Sequence, residues 1–226
     1  MIIVDQINKL GIFTSREKKR SRYFTKSIYR DFSFFDESIV KKGSDVFREV
    51  SPNRSKFVAA IAKGLSQSGI SQGKSILYLG ASHGYTPSFI SDIVGSDGEM
   101  FCVEFAPIVA RDLVLVCEKR ANMIPIIADA SHPELYSKPI GEVDVVFQDI
   151  AQREQVGIFL KNCDVCLKSG GFGLLSLKAR SVDVTKNPKQ IFTSVRAELQ
   201  KHMVIVDYRE LSPFEKDHAF FVVKKK

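Results

Sequence analysis

The sequence predicts an α/β fold: a mostly parallel sheet with helices on both faces, an antiparallel last strand, and a small β-rich unit ahead of it. Three observations predict it. From residue 53 short apolar runs alternate with amphipathic stretches. The runs are apolar on both faces, as strands covered by helices on two sides must be. The last two runs are joined by about eight residues, while a parallel crossover needs roughly a dozen.

Taken in order, residues 1–50 are rich in Phe, Lys, Arg and Ser, with extended-looking runs such as RYFTKSIYR and FSFF. They read as the β-rich unit, closed by the Gly43-Ser44-Asp45 turn and Ser51-Pro52. Residues 51–226 form the second unit. Asn53 to Ser66 has Phe57, Val58, Ala60, Ile61 and Leu65 on one helical face. Ser75 to Leu79 is a strand ending in Gly80. Thr86-Pro87 starts a helix that Gly95 stops. Glu99 to Val103 is a strand ending in Glu104, and Pro107 opens a helix through Cys117. Met123 to Ala128 ends in Asp129, and Val143 to Gln148 ends in Asp149. A helix from about 152 to 168 closes at Gly170-Gly171. Phe172 to Leu177 is a strand ending in Lys178, Pro188 to Lys201 a helix, and Met203 to Arg209 and His218 to Val223 the final strands. A parallel sheet ending in a reversed strand is the layout of Rossmann-like class I methyltransferases.

Composition bounds the function. The 226 residues carry a net charge of +7. Residues 16–30 supply +6 of it and the last three lysines +3, which leaves −2 for residues 31–223. A basic stripe interleaved with Tyr23, Phe24 and Tyr29 suits a polyanion, nucleic acid first; it equally suits a solvated strand pair. No apolar run approaches the roughly 18–20 residues of a membrane span, so no membrane association is expected. The first residues, with Asp5 and Lys9, do not read as a secretory signal. Four cysteines in apolar settings point to a reducing compartment. Cys163 and Cys166 have C-x-x-C spacing but no second pair, so they read as packed helix residues and no metal is expected.

Ligands of open parallel sheets bind at the carboxyl ends of the strands. The residues placed there are Gly80, Glu104, Asp129, Asp149 and Lys178. The segment Gly80-Ala81-Ser82-His83-Gly84 lacks the three-glycine dinucleotide pattern. Glu104 can accept hydrogen bonds from two ribose hydroxyls, in NAD and S-adenosylmethionine enzymes alike, so it marks a nucleoside without choosing one. Asp129-Ala130 suits an adenine amino group or a plain turn cap. His83 is either a ligand contact or a simple loop substitution. Lys56, in the first turn of the helix before the first sheet strand, falls at the same edge, against the helix dipole. His218 opens the reversed last strand and falls there too. Lys56, Asp149, Lys178 and His218 thus converge from distant parts of the chain. A lysine held by a carboxylate beside a second cation can orient a ribose hydroxyl and take its proton. With a sulfonium methyl as electrophile, 2′-hydroxyl methylation then needs mainly in-line positioning.

The sequence resembles the fibrillarin family of box C/D ribonucleoprotein methyltransferases. The matching segments run in order from Pro52-Asn-Arg-Ser-Lys56 through Tyr78-Leu-Gly80-Ala81, Val103-Glu104-Phe105, Ile124-Pro-Ile-Ile-Ala-Asp129-Ala130, Val143-Asp-Val-Val-Phe-Gln-Asp149-Ile-Ala-Gln152 and Ser176-Leu-Lys178-Ala179 to Glu215-Lys-Asp-His218-Ala219. The resemblance implies S-adenosyl-L-methionine-dependent 2′-O-methylation of rRNA, and possibly tRNA. It implies Lys56, Asp149, Lys178 and His218 as catalytic residues. Cofactor contacts fall on Gly80, Ala81, Tyr85, Thr86, Glu104, Phe105, Asp129, Ala130, Asp149 and Gln152. The implied partners are a guide RNA, its target RNA, a Nop-type scaffold and a kink-turn-binding ribosomal-type protein. In the loop after the first sheet strand, Tyr85 replaces the family's small hydroxyl residue, and Val50 stands where an aromatic is usual. The family's eukaryotic arginine/glycine-rich tail is absent, so the chain looks like the compact archaeal form and a cytoplasmic location is expected (nucleolar for a eukaryotic source). Other readings are a non-catalytic assembly subunit and, against the basic segments, a stand-alone small-molecule methyltransferase.

Overall fold

The computed structural model describes residues 6–7, 10–17, 20–29 and 33–226. Two sheets form. The first is antiparallel and built from β1 (Gln6–Ile7), β2 (Phe13–Glu17), β3 (Arg20–Lys26), β4 (Ile39–Lys42) and β5 (Asp45–Glu49), in the order β1-β2-β3-β5-β4. The second is built from β6 (Ser75–Leu79), β7 (Glu99–Glu104), β8 (Met123–Ile127), β9 (Val143–Gln148), β10 (Leu167–Lys178), β11 (Val204–Glu210) and β12 (His218–Lys224). Its order is β11-β12-β10-β9-β6-β7-β8. The reversed strand β12 lies between β10 and β11 and is antiparallel to both, as the short connection requires.

Helices cover both faces. Tyr78 faces a core with Phe57 of α1 (Lys56–Ala62), Phe89 and Ile90 of α2 (Tyr85–Val94) and Leu113 of α3 (Pro107–Cys117). Leu77 and Leu79, on the alternate face of the same strand, meet Phe159 and Cys163 of α5 (Gln155–Cys166) and Leu199 of α7 (Pro188–His202). This alternation is why the strand is apolar throughout. Between them lie the short α4 (Ser137–Ile140) and α6 (Ala179–Val182), too brief to leave a periodic signal in the sequence. Cys163 and Cys166 are buried in α5, as packed helix residues.

Several boundaries differ from expectation. Helix α1 is half the predicted length. Residues 51–54 instead form a turn in which Ser51 O accepts from Arg54 and Ser55 N–H, and Ser55 then caps the helix. Helix α2 starts at Tyr85 rather than Thr86, with Gly84 before it at φ +87°. Pro87 is therefore its third residue, where a missing N–H is still free of cost. Gly170-Gly171 does not stop a helix. Helix α5 ends at Cys166, and β10 begins at once and bulges between Leu167 and Phe172. Gly170 takes φ +71°, and a side chain on Gly171 would strike Leu167 and the carbonyl of Lys168.

The first sheet is fastened to α2 by buried charge. Arg48 of β5 donates to Asp92 at 2.9 Å and to Glu37 at 2.8 Å, and its guanidinium lies 4.2 Å from the Phe89 ring centroid. Arg120 binds the other oxygen of Asp92 at 2.9 Å, and Thr25 Oγ1 donates to Asp92 at 2.8 Å. Two arginines and two carboxylates leave the cluster neutral, which is what makes its burial tolerable. Helix α2, which carries the glycine loop at its start, is thereby fixed.

Candidate active site

The strands deliver charged residues to one edge. Asp149 follows β9, and its N–H donates to Leu79 O at 2.9 Å, tying the end of β9 to that of β6. Gly80 is obligatory there: at φ +81°, a Cβ would lie 2.5 Å from the Asp149 carbonyl oxygen. Lys56, the first residue of α1, places Nζ 3.2 Å from Asp149 Oδ2. Their side chains are 27% and 17% exposed, so the pair sits at the rim rather than in the core. The four sequence-predicted catalytic residues therefore meet as two couples. Lys178 closes β10 directly opposite His218, the first residue of β12. Residues opposite one another on antiparallel strands have Cβ atoms about 4.5–5.5 Å apart.

The couples differ in chemistry. Asp149 is engaged by Lys56. The Lys178 ammonium, exposed, forms no ion pair among the described residues. His218 Nδ1 lies 2.7 Å from the Lys216 carbonyl, which can only accept, so Nδ1 carries the hydrogen and Nε2 is left for other partners. The Tyr78 side chain is fully buried, and burial, then the Asp149 charge, push its hydroxyl pKa well up. It is a neutral floor to the site.

The neighbouring strand ends carry the predicted cofactor residues. Glu104 is held by three backbone N–H groups: Ser82 on Oε2 at 2.8 Å, Phe105 and Ala106 on Oε1 at 2.9 Å. A carboxylate offers about four acceptor positions, so one more remains. Phe105 beside it is 64% exposed, unusual for a phenylalanine. Asp129 Oδ1 caps the next turn, accepting from Ser131 N–H and Oγ–H, which hold its pKa below the usual carboxylate range. Its Oδ2 has no hydrogen-bond partner among the described residues. Ala130 is buried, its carbonyl bound by Asn162 at 2.8 Å. Gln152 lies in the loop between Asp149 and α5.

Tyr85 is used in an unexpected way. Its hydroxyl accepts the Ser51 N–H at 3.3 Å, its ring packs edge-on against Phe35 and Phe89, and Arg54 stacks 4.1 Å from its centroid. The side chain thus braces the turn that leads into Lys56. His83 pairs with Asp112 of α3 at 2.8 Å. Of the basic segment, Arg22 is tied to Glu49 with an Nε–Oε1 distance of 2.8 Å. Lys18 and Lys19 lie outside the described residues. Sequence reasoning missed Tyr78 and Gln155, whose roles depend on contacts rather than on spacing.

A Rossmann-like sheet with a reversed strand and an acidic and basic carboxyl edge defines a methyltransferase fold. The sequence profile of the Fibrillarin family matches residues 3–226, and the chain belongs to that family. It is 44% identical over 216 residues to the fibrillarin-like rRNA/tRNA 2′-O-methyltransferase of Pyrococcus horikoshii, covering 95% of each chain. The structure of Aeropyrum pernix fibrillarin with natively bound S-adenosyl-L-methionine is 35% identical, with a TM-score of 0.88 over 99% of this chain and 100% of that one. The fibrillarin chain of a fibrillarin/Nop5p complex is 36% identical, with a TM-score of 0.81 over 91% and 94%.

Proposed function

We propose that the chain is an S-adenosyl-L-methionine-dependent RNA 2′-O-methyltransferase, directed by a box C/D guide RNA to rRNA and tRNA. The observation that carries the reading is the meeting of Lys56–Asp149 and Lys178–His218 at one sheet edge. The relatives' activity and cofactor support it.

The residues beside the four fit a nucleoside. The remaining acceptor position of Glu104 suits a ribose hydroxyl, Asp129 Oδ2 an adenine amino group, and the exposed Phe105 ring an adenine face. The backbone of Gly80, Ala81, Tyr85 and Thr86, with Ala130, Asp149 and Gln152, would complete the cradle. Bound there, S-adenosyl-L-methionine supplies an electrophilic methyl. Lys178, acting as the free amine, orients the target 2′-hydroxyl and takes its proton as the oxygen receives the methyl group. Lys56 holds the Asp149 carboxylate in place, and the Nε2 of His218, opposite Lys178, offers a hydrogen-bond acceptor beside that hydroxyl. Most of the rate then comes from alignment.

The working particle contains guide RNA, target RNA, a Nop-type scaffold and a kink-turn-binding protein. The Nop5p complex of a relative supports the scaffold. Archaeal relatives support a cytoplasmic location. Reconstitution with these partners and a complementary RNA should give methyl transfer at the paired nucleotide. Calorimetric titration with S-adenosyl-L-methionine separates this reading from a non-catalytic assembly subunit, for which no binding is expected.

A further inference from the structure

Strands β9 and β10 stop pairing before the site. Their last partners are Gln148 and Leu175, and Lys178 lies three residues further on. On one side Lys178 faces His218 of β12. On the other, where β9 has ended, its backbone N–H and C=O would have no strand to bond. A side chain takes the strand's place. Lys178 N–H donates to Gln155 Oε1 at 3.1 Å, and Gln155 Nε2 donates to Lys178 O at 3.1 Å. The same Nε2 donates to Gln152 O at 3.0 Å, and Gln148 Nε2 donates to Gln155 O at 2.6 Å. Gln148 and Gln155 are both fully buried.

A primary amide carries donor and acceptor in one plane, as a peptide group does. Gln155 thus extends the ladder by one rung past the point where the strands part to open the crevice. It also joins the loop that follows Asp149 to the backbone of Lys178, through Gln152 O. This one amide thus links the segments that carry Asp149 and Lys178. We propose that Gln155 is a positioning residue for Lys178, fixing the backbone from which the amino group reaches the target hydroxyl. The proposal rests on the reading of Lys178 as the group that acts on that hydroxyl.

The test uses the assembled particle with guide and target RNA. Gln155→Leu removes donor and acceptor at similar size. Gln155→Glu keeps an acceptor for Lys178 N–H but loses the donor to Lys178 O and Gln152 O, and serves if the leucine variant does not fold. Asn122→Ala is the control: its buried amide donates to Ser91 O and Gly95 O at 2.9 Å, at the opposite edge of the sheet. Melting temperature, cofactor Kd, RNA KM and single-turnover rate are measured for each. The expected result is a rate lowered on the order of 10- to 100-fold in the Gln155 variants, the cost of misplacing a reacting group by a fraction of an ångström to an ångström. Kd and KM stay unchanged, and Asn122→Ala keeps the wild-type rate despite a comparable fall in melting temperature. Wild-type rates in the Gln155 variants, or equal losses in the Asn122 variant, overturn the proposal. Lys178→Ala is run in parallel. A wild-type rate there overturns the underlying reading of Lys178. A dead Lys178→Ala particle beside fully active Gln155 variants overturns the role of Gln155 alone.

Discussion

Lys56 Nζ lies 3.2 Å from Asp149 Oδ2, although 93 residues separate the two in sequence. The lysine opens a helix, where its charge opposes the helix dipole, and the aspartate ends a strand. The lysine's position is unfavourable for its own helix, so it is explained by its partner at the site rather than by the helix.

A rim pair of this exposure contributes about 0–1 kcal/mol to stability. Lys56→Ala and Asp149→Ala should therefore shift the melting temperature by only a few degrees while methyl transfer falls by orders of magnitude. Thermal melts run beside the transfer assay check both halves of the statement.

Glu104→Ala removes the acceptor proposed for the cofactor ribose and also frees three backbone N–H groups. Hydrogen bonds to a charged group are worth about 1.5–3 kcal/mol, so cofactor affinity should fall by roughly 10- to 100-fold. Calorimetric titration measures this, and an unmoved Kd would remove Glu104 from the nucleoside site.

The basic segment makes a salt-dependent prediction. Neutralising Arg16, Lys18, Lys19 and Arg20 should flatten the salt dependence of RNA association. At about 0.7–0.9 unit of slope per phosphate contact, the loss is roughly three units if all four engage. Arg22 belongs outside the set because Glu49 occupies it. Identical slopes would make the stretch a solvated face.

How far the site was legible depended on what each feature needed. Strand ends were readable because buried parallel strands are apolar runs with abrupt charged stops, so Glu104, Asp149 and Lys178 stood out. His218 followed from the length of one loop. Gly170-Gly171 misled because a glycine pair signals a stop in a helix and a bulge in a strand, and only the pairing of β10 with β9 decides between them. The roles of Tyr85 and Gln155 left no signal: a tyrosine bracing a turn and a glutamine replacing a strand are set by tertiary contacts. The buried Arg48–Asp92–Arg120 cluster likewise joins residues that no local spacing connects.

Asp144 gives a prediction in pH. Burial alone would raise its pKa, but the Ser75 backbone N–H, Lys74, the Ser75 hydroxyl and Lys168 together hold it at about 2. The folded value lies below that of an unfolded aspartate, about 3.9. Its contribution to stability is thus complete above the unfolded value and is lost as the pH falls toward about 2. Melting temperatures of wild type and Asp144→Asn should differ at neutral pH and converge as the pH falls through this window; a constant gap would contradict the assignment.

The most direct test of the central claim is the single-turnover rate of methyl transfer by the reconstituted particle, wild type against Lys178→Ala, with cofactor Kd measured on the same preparations. The account predicts a loss of several orders of magnitude in rate with Kd unchanged, because Lys178 acts on the hydroxyl and not on the nucleoside. An unchanged rate would contradict it, and so would a loss of rate explained wholly by a loss of cofactor binding.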